Sequence, residues 1–319
     1  MLKPIYPVHV IGSSNADLVL QVDRMPKLGE TVLGNSFSIV SGGKGANQAV
    51  AAAKAGGKVR FASSIGADAF GDLLISSLAQ QEVNCDLVST CEGMPTGVAT
   101  VQVNREGDNQ IVVVPGANMA LSPDQVDKAL HNTPAGTVVL LQLEVPINVV
   151  AHAAHKAAGN GCFVILDPAP IPPEGVPNEL FRGVSLVTPN RSETESITGV
   201  DPVDESSARQ AAQVLLDLGA KNVIITLGAM GSVLVNESEL KLIEPCPVSA
   251  IDSTAAGDCF NGALAAEISR GCSLTSSAQF AARAAEIAVS RLGAQSSLPT
   301  YVEIMSRVGD TECPTYGRG

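Results

Sequence analysis

The chain alternates short apolar runs with longer stretches of helical period, and few folds accommodate that order. From Ser122 onward it reads helix, strand Thr137–Leu143, helix Ile147–Ala158 and strand Cys162–Asp167. Strand Leu186–Thr188, helices Arg191–Thr198 and Glu205–Leu218, and strands Asn222–Thr226 and Gly231–Asn236 follow. A long helix is expected after Gly257, another over about Ser273–Leu292, and a last one near Tyr301–Val308. Strands separated by helices join in parallel through right-handed crossovers, so this is an α/β fold with a mostly parallel central sheet flanked by helices. The amino-terminal part reads as strands Val8–Ile11, Leu18–Val22, Thr31–Val40 and Lys58–Ser64, with helices Ala46–Ala55 and Ala69–Glu82. Gly97–Val103 and Gln110–Pro115, joined by the polar turn Asn104–Asn109, read as a hairpin inside this series. Together with the early strands the hairpin predicts a small β lid, built from about 13–40 and 97–115, over the open edge of one catalytic domain spanning 1–308. Residues 309–319 read as a frayed tail.

Composition supports this layout. Aromatic residues are 3% of the chain and Trp is absent, so the core must be built from Ala, Val, Leu and Ile. Such residues suit strands buried on both faces. The formal charge of −12 argues against a nucleic-acid partner, which needs a basic face. It leaves room for a phosphate-bearing ligand held by backbone amides. The seven cysteines form no C-x-x-C pair, and their odd number and wide spacing predict free thiols in a reducing, cytoplasmic setting. The amino terminus runs straight into a strand, without the apolar region of a signal peptide, and no apolar run is long enough to span a membrane.

Three segments carry candidate chemistry. In Ala250–Gly262, AIDSTAAGDCFNG, small residues lead into a helix beginning near Gly257 or Asp258. Helix-start amides lack internal partners and carry partial positive charge, so they can hold an anion while a first-turn aspartate accepts a proton from a hydroxyl. The competing reading of Asp258 is a simple N-cap. Ser41–Gln48, SGGKGANQ, is neither a Walker loop nor a dinucleotide fingerprint. Its tight glycine turn lets backbone amides and Asn47 meet a polyol, or it is only a strand-to-helix turn. Asn15 and Asp17 share a face in extended chain and offer donors and acceptors for neighbouring hydroxyls, or form an Asx turn.

Further candidates lie at strand ends. Glu144 follows one strand, where ligands gather in open α/β sheets. Asn190 and Glu193 either form a helix capping box or orient water around Mg²⁺ on a nucleotide. Thr226-Leu227-Gly228-Ala229-Met230-Gly231 is either a turn or a close-approach loop for a nucleotide. His9, His131, His152 and His155 form no recognisable metal set, and Cys259 reads as a small packing residue.

The order of these motifs resembles the ribokinase (PfkB-type) carbohydrate kinase family. The likeness spans residues 8–308 and is carried above all by SGGKGANQAVAAAKA at Ser41–Ala55 and DSTAAGDCFNGAL at Asp252–Leu264. It implies a central sheet with a β lid, and transfer of the ATP γ-phosphoryl group to O5 of D-ribose. It further implies Asp258 as catalytic base and Gly257 with its neighbours as anion hole. Asn15, Asp17, Gly43, Lys44, Asn47 and Glu144 would hold the sugar. Asn190, Thr226–Gly231 and Ala282 would contact the nucleotide, and Glu193 would act indirectly on Mg²⁺. Asp252, Thr254, Ala288, Arg291, Gly293 and Ser297 match the positions of an activating K⁺ site, mostly through carbonyl oxygens, and a homodimer through the lid is implied.

Two positions depart from the family pattern: Cys259 stands for the usual Thr, and Ala282 for a polar residue beside the adenine. The remaining alternatives are a kinase for deoxyribose, a hexose, a sugar acid or a nucleoside, and a non-catalytic sugar or nucleotide sensor. A nucleotide-dependent dehydrogenase fits poorly, because Gly12-Ser13-Ser14-Asn15 lacks G-x-G-x-x-G.

Overall fold

The computed structural model describes residues 5–308, and the tail 309–319 lies outside the described residues. The strands are β1 (Val8–Ile11), β2 (Asn15–Val22), β3 (Gly34–Gly42), β4 (Val59–Gly66), β5 (Asn84–Cys91), β6 (Gly97–Val103) and β7 (Asn109–Val114). They continue as β8 (Val138–Leu141), β9 (Phe163–Leu166), β10 (Leu186–Val187), β11 (Asn222–Thr226), β12 (Ser232–Asn236) and β13 (Leu240–Ile243). The helices are α1 (Lys44–Lys54), α2 (Ala69–Gln80), α3 (Pro123–Ala129), α4 (Ile147–Gly159), α5 (Arg191–Thr198), α6 (Glu205–Asp217), α7 (Ala256–Ser269), α8 (Leu274–Val289) and α9 (Tyr301–Val308).

The main sheet has nine strands in the order β13-β12-β11-β10-β9-β8-β1-β4-β5. It is parallel from β11 to β5, and β12 and β13 add antiparallel at one edge. Its central strands are continuous apolar runs such as VVLL in β8, buried on both faces. One face carries a cluster containing Ala46, Ala49, Ala263, Ala281 and Ile287, from α1, α7 and α8. The other carries Val126, Val149, Ala153, Ala211 and Leu215, from α3, α4 and α6.

The strand order reverses between β1 and β8, because β4 and β5 lie on one side of β1 and β8–β11 on the other. Such a reversal opens a crevice at the carboxyl ends of the strands. The second sheet, β3-β2-β6-β7, rises from this edge. It contains the expected hairpin, β6–β7, but joins it to the early strands through a parallel β2–β6 pairing. Strand β5, absent from the sequence reading, closes the far edge of the main sheet. Cys85, Cys91, Cys162, Cys246 and Cys259 are free, whereas Cys272 is disulfide-bonded, against the expectation of free thiols throughout.

Helices α1 and α7 approach unusually closely. A Cβ on Gly262 would lie 2.5 Å from Ala51 Cβ and 2.6 Å from the Gln48 carbonyl. The small residues of α1 and this glycine bring the amino-terminal turns of the two helices side by side. That contact builds the site.

Candidate active site

Asp258 lies in the first turn of α7 and is buried. The helix starts at Ala256 with Ala255 as its N-cap residue, in the left-handed region at φ 58°. Asp258 is therefore not the cap, and no side chain caps this terminus. Ala256 N–H reaches the Ser253 carbonyl and Cys259 N–H the Ala255 carbonyl. The N–H groups of Gly257 and Asp258 have no acceptor among the described residues. Two open amides at an exposed glycine, on the positive end of a helix, form a site for an anion.

Both oxygens of Asp258 are held from α1. Asn47 Nδ2 donates to Oδ2 at 3.0 Å and Gln48 Nε2 to Oδ1 at 3.0 Å. Gln48 Nε2 also donates to Asp167 Oδ2 at 2.7 Å, so one amide nitrogen bridges two carboxylates. Gln142 Nε2 donates to Gln48 Oε1 at 2.6 Å and fixes which end of that amide faces them. Gln48, Asp167 and Gln142 were not singled out in the sequence. Asp167 follows β9 as Glu144 follows β8, and the same strand-end rule would have found it.

The glycine turn meets the start of the small sheet. Gly43 has φ 86°, and a Cβ there would lie 2.8 Å from Asn15 N and 2.9 Å from Ser14 Cα. A Cβ on Gly42 would collide with the Asp17 carboxylate. Glu144 Oε2 accepts from Ser13 Oγ at 2.6 Å and from Lys44 N–H at 3.0 Å, tying β8 to β1 and α1 across the crevice. Asn15 Oδ1 accepts from Asn118 Nδ2 at 2.7 Å. Asn118, another residue missed in the sequence, also bonds the Ser14 backbone and so locks the entry to β2.

Charge is concentrated here. Burial, then the neighbouring Glu144 and Asp258, push Asp17 up to about 7. Burial pushes Asp167 up to about 8, opposed by Lys44 and reinforced by Glu193 and Asp258. Burial works to lower Lys44, but Asp258, Asp167, Glu144 and Glu193 together hold it above its usual range. Lys44, on α1, is thus the cation facing carboxylates that follow β8 and β9 and lie on α5 and α7.

Asp167 makes the stability of the fold depend on pH. Its folded-state value lies above the ordinary 3.8, so its contribution to stability is full below that value and lost as pH rises through about 8. Asp167→Asn is neutral throughout. Relative to the parent it is expected to gain stability between pH 5 and 9, by an amount on the order of a few kcal/mol at about 1.4 kcal/mol per unit. Urea melts of both proteins at the two pH values check this, and parallel stability profiles would contradict it.

The nucleotide candidates continue along the same sheet edge. Asn190 follows β10 and pairs with Thr226 at the end of β11. Asn190 and Glu193 do form the capping box: Asn190 Oδ1 accepts from Glu193 N–H at 2.9 Å, and Glu193 Oε2 from Asn190 N–H at 2.8 Å. Burial raises Glu193, opposed by the Asn190 amide and Lys44 and reinforced by Asp258, so this carboxylate also faces the cluster. Leu227 N–H closes the glycine loop onto the Gly231 carbonyl at 2.8 Å, with Gly228, Ala229 and Met230 in a 3₁₀ turn between them. Ala282 is half-buried on α8 and packs against the core cluster that α8 shares with α1 and α7.

Three of the cation candidates, Asp252, Thr254 and Gly293, meet just ahead of α7. Asp252 Oδ1 accepts from Thr254 N–H at 2.9 Å and Oδ2 from Gly293 N–H at 2.8 Å. Burial works against its ionisation, but these amides hold it below the usual carboxylate range. The Ala288 carbonyl accepts from Arg291 N–H at 3.0 Å, and buried Ser297 donates to the Ala294 carbonyl at 2.7 Å. The Arg291 guanidinium points away, to Glu303 at 2.5 Å.

Comparison with known proteins agrees with the fold and the motifs. The profile of pfkB family carbohydrate kinases matches residues 7–301. Ribokinase of Haemophilus influenzae is 41% identical over 296 residues, covering 93% of this chain and 96% of that protein. Deoxyribokinase of Salmonella typhi is 35% identical, covering 92% and 95%. The structure of Arabidopsis thaliana ribokinase complexed with ribose and ATP superposes with a TM-score of 0.86 at 33% identity, over 97% of this chain and 99% of that one. The chain belongs to the pfkB family of carbohydrate kinases. Among the described residues, no helix is long and apolar enough to cross a membrane.

Proposed function

We propose that the protein transfers the γ-phosphoryl group of ATP to the O5 hydroxyl of D-ribose, giving ribose 5-phosphate and ADP. The observation that carries this reading is Asp258. It is a buried carboxylate gripped by two amides from α1, beside the open N–H groups of Gly257 and Asp258. A base beside an anion site is what in-line transfer to a hydroxyl requires. The ribokinase relatives supply the substrate.

Asn15, Asp17, Gly43, Lys44, Asn47 and Glu144 hold the sugar, with hydroxyl acceptors at the carboxylates and donors at the amides. Asn190, the loop Thr226–Gly231 and the α8 face with Ala282 carry the nucleotide. Asp258 takes the proton from O5, and the open amides stabilise the oxygens of the transferring group. The small sheet acts as a lid on a single catalytic domain and keeps water from the phosphoryl group.

Mg²⁺ fits the site. Among the described residues no three His, Cys, Asp or Glu side chains gather to hold a metal, and Mg²⁺ is held chiefly by phosphate oxygens and water. Glu193 and Asp167 are the carboxylates placed to orient that water. K⁺ fits the oxygen-only set of Asp252, Thr254, Ala288, Arg291, Gly293 and Ser297, because the ionised Asp252 ties two carbonyl-bearing segments together. Bound there, it supplies positive charge beside the anion hole. The exposed apolar side chains of Phe37, Ile39, Val40 and Ile111–Val114 on the outer strands of the small sheet support a homodimer through the lid. The free thiols support a cytoplasmic setting, with Cys272 the exception.

The test is a sugar panel with ATP and Mg²⁺, in K⁺ and then in Na⁺. D-ribose is expected to give the highest kcat/KM, with deoxyribose second and hexoses and nucleosides far lower. Na⁺ is expected to reduce the ribose rate. A preference for deoxyribose would reassign the substrate, and equal rates in the two salts would remove the cation site while leaving the kinase.

A further inference from the structure

Resting on the reading of Asp258 as base, we propose that Gln295 is a positioning residue, which sets the orientation of the Asn47 amide and through it that of the base. Gln295 lies in the loop between α8 and α9, far in sequence from α1. Its Nε2 donates to Asn47 Oδ1 at 3.2 Å, and Asn47 Nδ2 donates to Asp258 Oδ2 at 3.0 Å.

The two ends of an asparagine amide have nearly the same shape, so the partners decide which end faces which way. With Oδ1 committed to the Gln295 donor, only Nδ2 remains for Asp258. If nothing donated to Oδ1, the amide would be free to turn. Its oxygen would then oppose the Asp258 carboxylate, and the base would lose one of its two restraints.

The loop is built to hold this position. The Gln295 carbonyl accepts from Lys54 Nζ at 3.1 Å, and Lys54 donates at 3.1 Å to the Leu298 carbonyl as well. Lys54 and Asn47 are two turns apart on the same face of α1. At its other end the loop is held by Asp252 Oδ2 through Gly293 N–H at 2.8 Å. Asp252 precedes the turn that opens α7. The loop is therefore pinned to both helices that make the base and its amide partner, and Gln295 is its one side chain that reaches Asn47.

Two near-isosteric substitutions separate positioning from packing. Gln295→Met removes the donor, while Gln295→Glu replaces it with an acceptor that draws Asn47 Nδ2 away from Asp258. Half-buried Gln295 lies in a loop, so both variants are expected to melt within a few degrees of the parent. Misplacement of a reacting group by about 1 Å can cost ~10²-fold. We expect kcat to fall ~10-fold in Gln295→Met and ~10²-fold in Gln295→Glu, with KM for ribose and ATP within about threefold of the parent.

In an Asn47→Ala background the Gln295 substitutions are expected to have no further effect, because the relay is already broken. Equal kcat for all three proteins, losses confined to KM, or effects that add fully to Asn47→Ala would each overturn the inference. Asp258→Asn, assayed alongside, distinguishes the two failures. If it is inactive while the Gln295 variants keep full turnover, only the role of Gln295 falls. If it retains turnover, the reading of the base itself fails.

Discussion

Asp258→Asn is expected to lower kcat by ~10²–10⁴-fold, the usual worth of a single general base. The substitution keeps the shape of the side chain and removes its capacity to accept a proton from an attacking hydroxyl. It also introduces an NH₂ group where both oxygens now accept, from Asn47 and from Gln48. One of those donors must turn away or lose its partner, at about 1–3 kcal/mol for a buried group. A lower melting temperature should accompany the lost rate. Ribose binding, followed by calorimetry, is expected to survive, because Asn15, Asp17, Lys44 and Glu144 are untouched. Turnover within about tenfold of the parent would fall short of a general-base effect and remove Asp258 from that role.

Gly43→Ala is expected to weaken both sugar binding and folding, through a different route. At φ 86° the backbone of Gly43 lies in the left-handed region, where an L side chain costs roughly 1–2 kcal/mol. The new Cβ would also meet backbone rather than flexible side chain, with Asn15 N at 2.8 Å and Ser14 Cα at 2.9 Å. Since Ser14 and Asn15 lead into β2, relieving the clash moves the root of the small sheet away from α1. The residues proposed to hold the sugar, on the two sides of that turn, then separate. KM for ribose is expected to rise at least ~10-fold and stability to fall, while the proposed ATP side, at β10, β11 and α5, changes little. Steady-state kinetics and a thermal melt check both parts. Unchanged ribose KM would mean that the turn does not hold the sugar. By contrast, a Cβ on Gly257 would have no neighbour within 4 Å, so the glycines of the two motifs serve different ends. Those of 42–45 allow close packing of the chain, and Gly257 leaves the helix terminus open.

Much of this was legible in the sequence because it is local. Alternating apolar and helical runs give the parallel sheet, and the two glycine-containing signatures give the strand-to-helix turns. Element ends moved by a few residues: α1 begins at Lys44 rather than Ala46, and α7 at Ala256 rather than Gly257 or Asp258. The second shift matters, since it takes Asp258 out of the cap position and into the first turn.

The illegible part is long-range. Gln48, Gln142 and Gln295 are unremarkable glutamines until α1, β8 and the 291–298 loop meet, and their partners lie 94 to 248 positions away. Asp167 is different: its place at a strand end is legible, and only its burial, under Gln48 of α1, is long-range. The small sheet was half legible. Its hairpin follows from alternation, but the parallel β2–β6 pairing depends on the crevice edge that both strands leave. Strand β5 was missed because NCDLVSTC, at the sheet edge, is only partly buried and carries no clean apolar run.

The most direct test of the central claim is ³¹P NMR of the products formed from D-ribose and ATP with Mg²⁺ and K⁺. The expected result is ADP and one phosphomonoester, whose phosphorus couples to the two protons on C5 of the sugar. ADP with inorganic phosphate alone would contradict phosphoryl transfer to the sugar. A phosphoester coupled to the anomeric proton would contradict the placement of O5 against Asp258.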